Sequence, residues 1–178
     1  MKITREQLKG SYSEGEALAI YRQVRDDGDF LAFLYQFMQD DDHQVTRNAL
    51  WGLTKANQAE IKQLQVALNS LIDLAISTNN PSVRRLSLNL IERLYLKEDD
   101  IRTDFLDFCL EHMAMPQEFP GIQSLCMKLA YRMCSFFPEL KEELIRTLEV
   151  MEMEYYKPAV KSVRNRILSG KTKTIDQR

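Results

Sequence analysis

Six glycines and five prolines in 178 residues leave little room for hairpin turns. No stretch alternates apolar and polar residues long enough to make a strand. Three cysteines, Cys109, Cys126 and Cys134, are odd in number and lack CxxC spacing, which excludes a disulfide scaffold. Cys126 and Cys134 sit too far apart on one predicted helix to bridge within it. The two histidines, His43 and His112, form no HExxH and no carboxylate–His spacing suited to zinc. Phosphate-cradling GxxxxGK[ST] and GxGxxG are absent, as is the nucleophile motif GxSxG. The acidic turns Asp40-Asp41-Asp42 and Lys97-Glu98-Asp99-Asp100 lack the glycine and alternating oxygens of a calcium loop and read as helix caps. No apolar run approaches the ~20 residues of a membrane span, and Met1-Lys2-Ile3-Thr4-Arg5-Glu6 has no apolar core of a secretory leader. These absences predict no catalytic residue, no cofactor, no metal and no membrane partner, in a reducing cytoplasm.

What is present is helical. The hydrophobic share of 44% and a net charge of −2 suit one globular domain, read as 1–169 with a polar, flexible tail at 170–178. Apolar residues recur at three and four. Thr4-Arg5-Glu6-Gln7, Ser13-Glu14-Gly15-Glu16 and Asn57-Gln58-Ala59-Glu60 have the form of capping boxes. The pattern predicts helices over 4–9, 13–26, 29–39, 44–56, 58–77, 82–94, 100–114, 121–134, 138–154 and 158–169. Phe30, Phe33, Leu34 and Phe37, with Phe105, Leu106, Phe108 and Cys109, are predicted core.

An internal repeat organises these helices. The helices that begin at Val45, Val83, Ile122 and Val160 start 38 or 39 residues apart, so each predicted unit is an A helix, a tight turn and a B helix. Two residues before the last three starts stand Pro81, Pro120 and Pro158, whose missing N–H is harmless in the first turn. Counting the start of each B helix as zero, offsets 0, 3, 4, 7, 8 and 11 make one apolar stripe. It reads Val45, Asn48, Ala49, Gly52, Leu53, Ala56; then Val83, Leu86, Ser87, Leu90, Ile91, Leu94; then Ile122, Leu125, Cys126, Leu129, Ala130, Met133. The fourth unit is poorer, with Arg164 inside the stripe, as befits a terminal repeat. The units run about 29–56, 58–94, 100–134 and 138–169, preceded by N-terminal helices.

Units of this length and form resemble HEAT or armadillo repeats. Asn80-Pro81-Ser82-Val83-Arg84-Arg85 and Asp42-His43-Gln44-Val45-Thr46-Arg47 are similar to the HEAT turn, in which an Asp/Asn-rich corner leads into Val-Arg. The resemblance implies an all-α fold, a right-handed α–α superhelix of about four helical pairs, with the B layer lining the concave side.

Offsets 2, 6 and 10 are predicted to point away from the stripe, since each residue turns ~100°. Across the repeats they read Arg47, Trp51, Lys55; Arg85, Asn89, Arg93; Ser124, Lys128, Arg132; Ser162, Arg166, Gly170. No acid appears among them, while the A-helix segments are net acidic, at −8 together. The predicted partner-binding residues are therefore Arg47, Trp51, Lys55, Arg85, Asn89, Arg93, Lys128, Arg132 and Arg166, a basic groove for an acidic protein segment. The alternative partner is nucleic acid. Bacterial alkylpurine DNA glycosylases are built from HEAT-like repeats, with a basic concave face holding aromatics and a catalytic Asp. The predicted B helices here contain no Asp, and Glu92 is their one acid. What that likeness implies is DNA binding without the glycosylase reaction.

Overall fold

A computed structural model describes residues 2–10 and 13–172; of the predicted tail, 173–178 lie outside the described residues. Helix starts follow the local chemistry. The Thr4, Ser13 and Asn57 side chains each accept the third helical N–H, and Gln7, Glu16 and Glu60 reciprocate, forming the three capping boxes that open α1 (Arg5–Lys9), α2 (Glu14–Asp27) and α5 (Gln58–Ile61). Asp29 and Asp42 cap α3 (Phe30–Phe37) and α4 (His43–Leu53). After α6 (Leu68–Ser77), Asn80 caps α7 (Pro81–Glu92), accepting from Ser82 and Val83. Then come α8 (Thr103–Ala114), α9 (Pro120–Cys134), α10 (Pro138–Val150) and α11 (Pro158–Leu168). Proline opens α7, α9, α10 and α11. Gly28 ends α2 at φ 75°, a left-handed cap that favours glycine. The described residues contain no strand.

The chain divides into two compact units, Met1–Leu94 and Tyr95 onward, and the predicted 1–169 domain spans both. In the first, α4 is the hub: α1, α2, α3 and α7 all pack on it, and α7 packs on α6. In the second, α8, α10 and α11 pack on α9. Each B-helix stripe is the buried side of its unit. Val45, Leu53, Leu90, Ile91, Ile122, Leu129 and Met133 are all sealed from solvent, as are the predicted Phe30 and Phe105. Asn48 is a buried polar member, and its Nδ2 donates to the Leu8 carbonyl at 2.6 Å, supplying an acceptor's partner at the end of α1.

Three predicted helices are shorter or broken. The helix predicted over 58–77 contains a 3₁₀ stretch, Lys62–Ala67. Ile61, Leu64 and Ala67 are all buried; their spacing of three matches the 3₁₀ turn better than the 3.6 period, and Val66 is left exposed. The helix predicted from 100 starts at Thr103 after a 3₁₀ turn, and that predicted to 154 stops at Val150.

Candidate functional site

The B helices carry polar side chains of two kinds, and the structure separates them. At offset 1 the side chain turns back onto the end of the preceding A helix. Thr46 Oγ1 donates to the Phe37 carbonyl at 3.0 Å, Arg84 Nε to that of Ala75 at 2.9 Å, and Gln123 Nε2 to that of Met115. In the last pair Arg164, at offset 4, does the same work on the Leu148 and Glu149 carbonyls, at 2.6 and 3.3 Å. Each bond satisfies a carbonyl that a helix end leaves without an internal donor. Sequence reasoning missed these clamps. In the first three units their signal was a polar residue directly after the apolar start, hidden by the change of residue type.

The predicted strip at offsets 2, 6 and 10 is corrected at offset 10. Arg93, expected to face outward, lies half-buried and donates to the Thr54 and Ala56 carbonyls at 3.0 and 2.6 Å, while Gln58 Nε2 donates to the Arg93 carbonyl at 2.7 Å. Burial lowers its proton affinity, yet arginine's ordinary value is high enough to keep it charged. Arg132 is buried, at 5% exposure. Lys55 forms an ion pair with Glu14 at the start of α2. The reason is positional: Lys55 lies past the C-cap of α4 and Arg93 is itself the C-cap of α7, so these side chains fold onto neighbouring chain ends. Arg132 is still within α9, which is enclosed by three helices.

Offsets 2 and 6 behave differently. Arg85 and Arg166 are exposed, and Arg47, Trp51, Asn89 and Lys128 are half-buried. On α4 the structure brings three predicted residues together. The Arg47 guanidinium lies 5.0 Å and the Lys55 ammonium 5.8 Å from the centre of the Trp51 ring, both within cation–π range. Arg47 also donates to Asn48 Oδ1 at 2.9 Å. Arg85 takes Arg47's place on α7, which packs on α4, and no ion pair joins it to a described residue. Arg166 donates to Ser162 Oγ at 3.2 Å. This strip can hold carboxylates by charge-assisted bonds and an apolar or planar group against the tryptophan.

The cysteines are buried and unpaired. Burial, with Cys126 beside it, pushes the Cys109 thiol well above its ordinary range, which makes it a poor nucleophile. Among the described residues no cluster of His, Cys, Asp or Glu can hold a metal ion, and no helix is long and apolar enough to cross a membrane.

No curated protein matches the chain. A family model for the HEAT repeat domain does match, over residues 4–171, nearly the full length of the repeat pattern and of the helical pairs described above; the chain belongs to the HEAT repeat family.

Proposed function

We propose that this protein is a non-catalytic scaffold of the cytoplasm that binds an acidic segment of a partner protein through the outward strip of its B helices. Arg47, Trp51, Arg85 and Asn89 form the strip in the first unit, with Lys55, paired to Glu14, at its edge; Lys128 and Arg166 are the corresponding positions of the second unit, taken by itself. The observation that carries this reading is the Arg47–Trp51–Lys55 cluster, with the exposed Arg85 at the matching position of the adjoining α7. Tryptophan and arginine are the side chains that most often anchor protein interfaces. Carboxylates that reach Arg47 and Arg85 meet no acid among the offset 2, 6 and 10 positions. Arg93 and Arg132 belong to the scaffold that holds the strip in place.

The test is fluorescence anisotropy with a labelled Glu-rich peptide against wild type and the Arg47→Glu/Arg85→Glu variant. The expected result is saturable binding that weakens as salt rises and falls about tenfold or more in the variant. A labelled DNA duplex is titrated in parallel. Duplex binding with a steep salt slope, in place of peptide binding, overturns the proposal in favour of nucleic acid.

A further inference from the structure

The second unit holds a surface of opposite character, and it stands independently of the acidic-partner reading. Helices α8 and α10 both pack on α9, and a cleft runs between them. Leu106, Leu110 and Met113 line it from α8; Leu140, Leu144 and Glu143 line it from α10. On each helix the lining follows an i, i+4, i+7 row, since Thr147 completes the second, and the Thr147 hydroxyl is already bonded to the Glu143 carbonyl. Two facing rows with this period suit the apolar stripe of a third helix.

The rim decides what that helix carries. At ~100° per residue, Asp107 and Glu111 fall on the solvent side of the Leu106–Leu110 row, and Glu139 and Glu143 on the solvent side of the Leu140–Leu144 row. All four are exposed, and no ion pair joins any of them to a described residue. The nearby cations are engaged elsewhere: Arg146 pairs with Glu142, and Lys141 lies over the Tyr131 ring. Leu140 is 38% exposed on the cleft row, and Val150, 77% exposed, falls on the face of Glu139 and Glu143. The negative charge of Glu143 is felt at the floor of the cleft, where it acts with burial to raise the Cys134 thiol.

We infer that the α8–α10 cleft is a second docking site, and that its occupant is a basic amphipathic helix of a partner protein, its apolar stripe seated on Leu110 and Leu140 above the buried Leu106 and Leu144, and its Lys or Arg residues meeting Asp107, Glu111, Glu139 and Glu143. This is helix-in-groove recognition with charge setting the choice of partner. The two units then take partners of opposite charge.

The probe is an amphipathic Leu–Lys helix of about five turns, with a Leu–Glu helix of the same pattern as its counterpart. The Leu–Lys peptide is expected to bind the full chain saturably, shifting the methyl signals of Leu106, Leu110, Leu140 and Leu144, with the Leu–Glu peptide about tenfold weaker or more. Asp107→Lys/Glu143→Lys and, separately, Leu140→Ser are each expected to weaken it about tenfold, with far-UV circular dichroism unchanged. Asp26→Lys/Asp41→Lys makes the same charge change in the first unit and is expected to keep most of the affinity. Equal binding by wild type and the Asp107→Lys/Glu143→Lys variant, shifts confined to other residues, or no saturable binding overturns the inference. So does a dimer in sedimentation velocity that Leu140→Ser disperses, since the cleft would then be the contact between two copies.

Discussion

At the seventh offset of its repeat, α4 carries Gly52 where α7 carries Leu90 and α9 carries Leu129, and each of the three is buried. The two leucines fill space between packed helices. Gly52 removes it: a Cβ built there would stand 2.5 Å from Ile20 Cγ2 and 3.1 Å from Ile20 Cβ, so α2 lies against the bare backbone of α4. A related contrast appears at offset 10. Lys55, just past α4, keeps part of its surface open, whereas Arg132 within α9 is buried. A shared register therefore fixes which side of a helix meets its A partner. How much of the remainder stays open depends on what flanks it.

The sharpest break of this comparison is Leu90→Ala or Leu129→Ala, each expected to cost ~2–5 kcal/mol in denaturant unfolding; an unchanged midpoint for both would remove the stripe from the core. Next is Gly52→Ala. The methyl must displace Ile20 or the helix, so stability should fall by about 1–3 kcal/mol, where alanine at an open helical site would raise it. Arg93→Ala should then cost about 1–3 kcal/mol through the unpaired Thr54 and Ala56 carbonyls. Arg85→Ala, one helix-face away and exposed, should stay within about 0.5 kcal/mol of wild type. Matching losses at the two arginines in parallel thermal melts would erase the distinction between clamp and strip.

The smallest effect is pH-dependent. Arg5 Nε and Nη2 meet the Asp40 carboxylate at 2.7 and 2.8 Å, and this pairing, helped by the Asp42 N–H, holds Asp40 below the usual carboxylate range. A depressed folded-state value means that the contribution is present above the unfolded value of ~3.9 and is lost as pH falls through the folded one. The stability difference between wild type and Asp40→Asn is thus full at neutral pH and closes below about pH 4. A difference that stays constant from neutral to acid would contradict the pairing.

Much of the fold was legible because its signals are local. Thr4, Ser13 and Asn57 with their partners three residues on mark helix starts, and the stripe at Val83, Leu86, Leu90 and Ile91 is buried as its spacing predicts. The break at Lys62–Ala67 was not legible, since Ile61, Leu64 and Leu68 fit a helical period and the small, buried Ala67 gives little weight to a period of three. Of the candidate site, Arg47, Trp51 and Lys55 could be grouped by spacing alone. The fate of Arg93 and Arg132 could not. Where a long side chain goes depends on neighbours about one repeat away, such as the Thr54 and Ala56 carbonyls.

Trp51 is the protein's one tryptophan and sits at the centre of the basic strip, so its emission reports on the central claim without a label. Titration of the full chain with the Glu-rich peptide should shift that emission saturably. The shift should weaken with salt and vanish in Arg47→Glu/Arg85→Glu. Peptide binding that leaves the Trp51 emission unchanged, or an equal shift in that variant, would contradict the account.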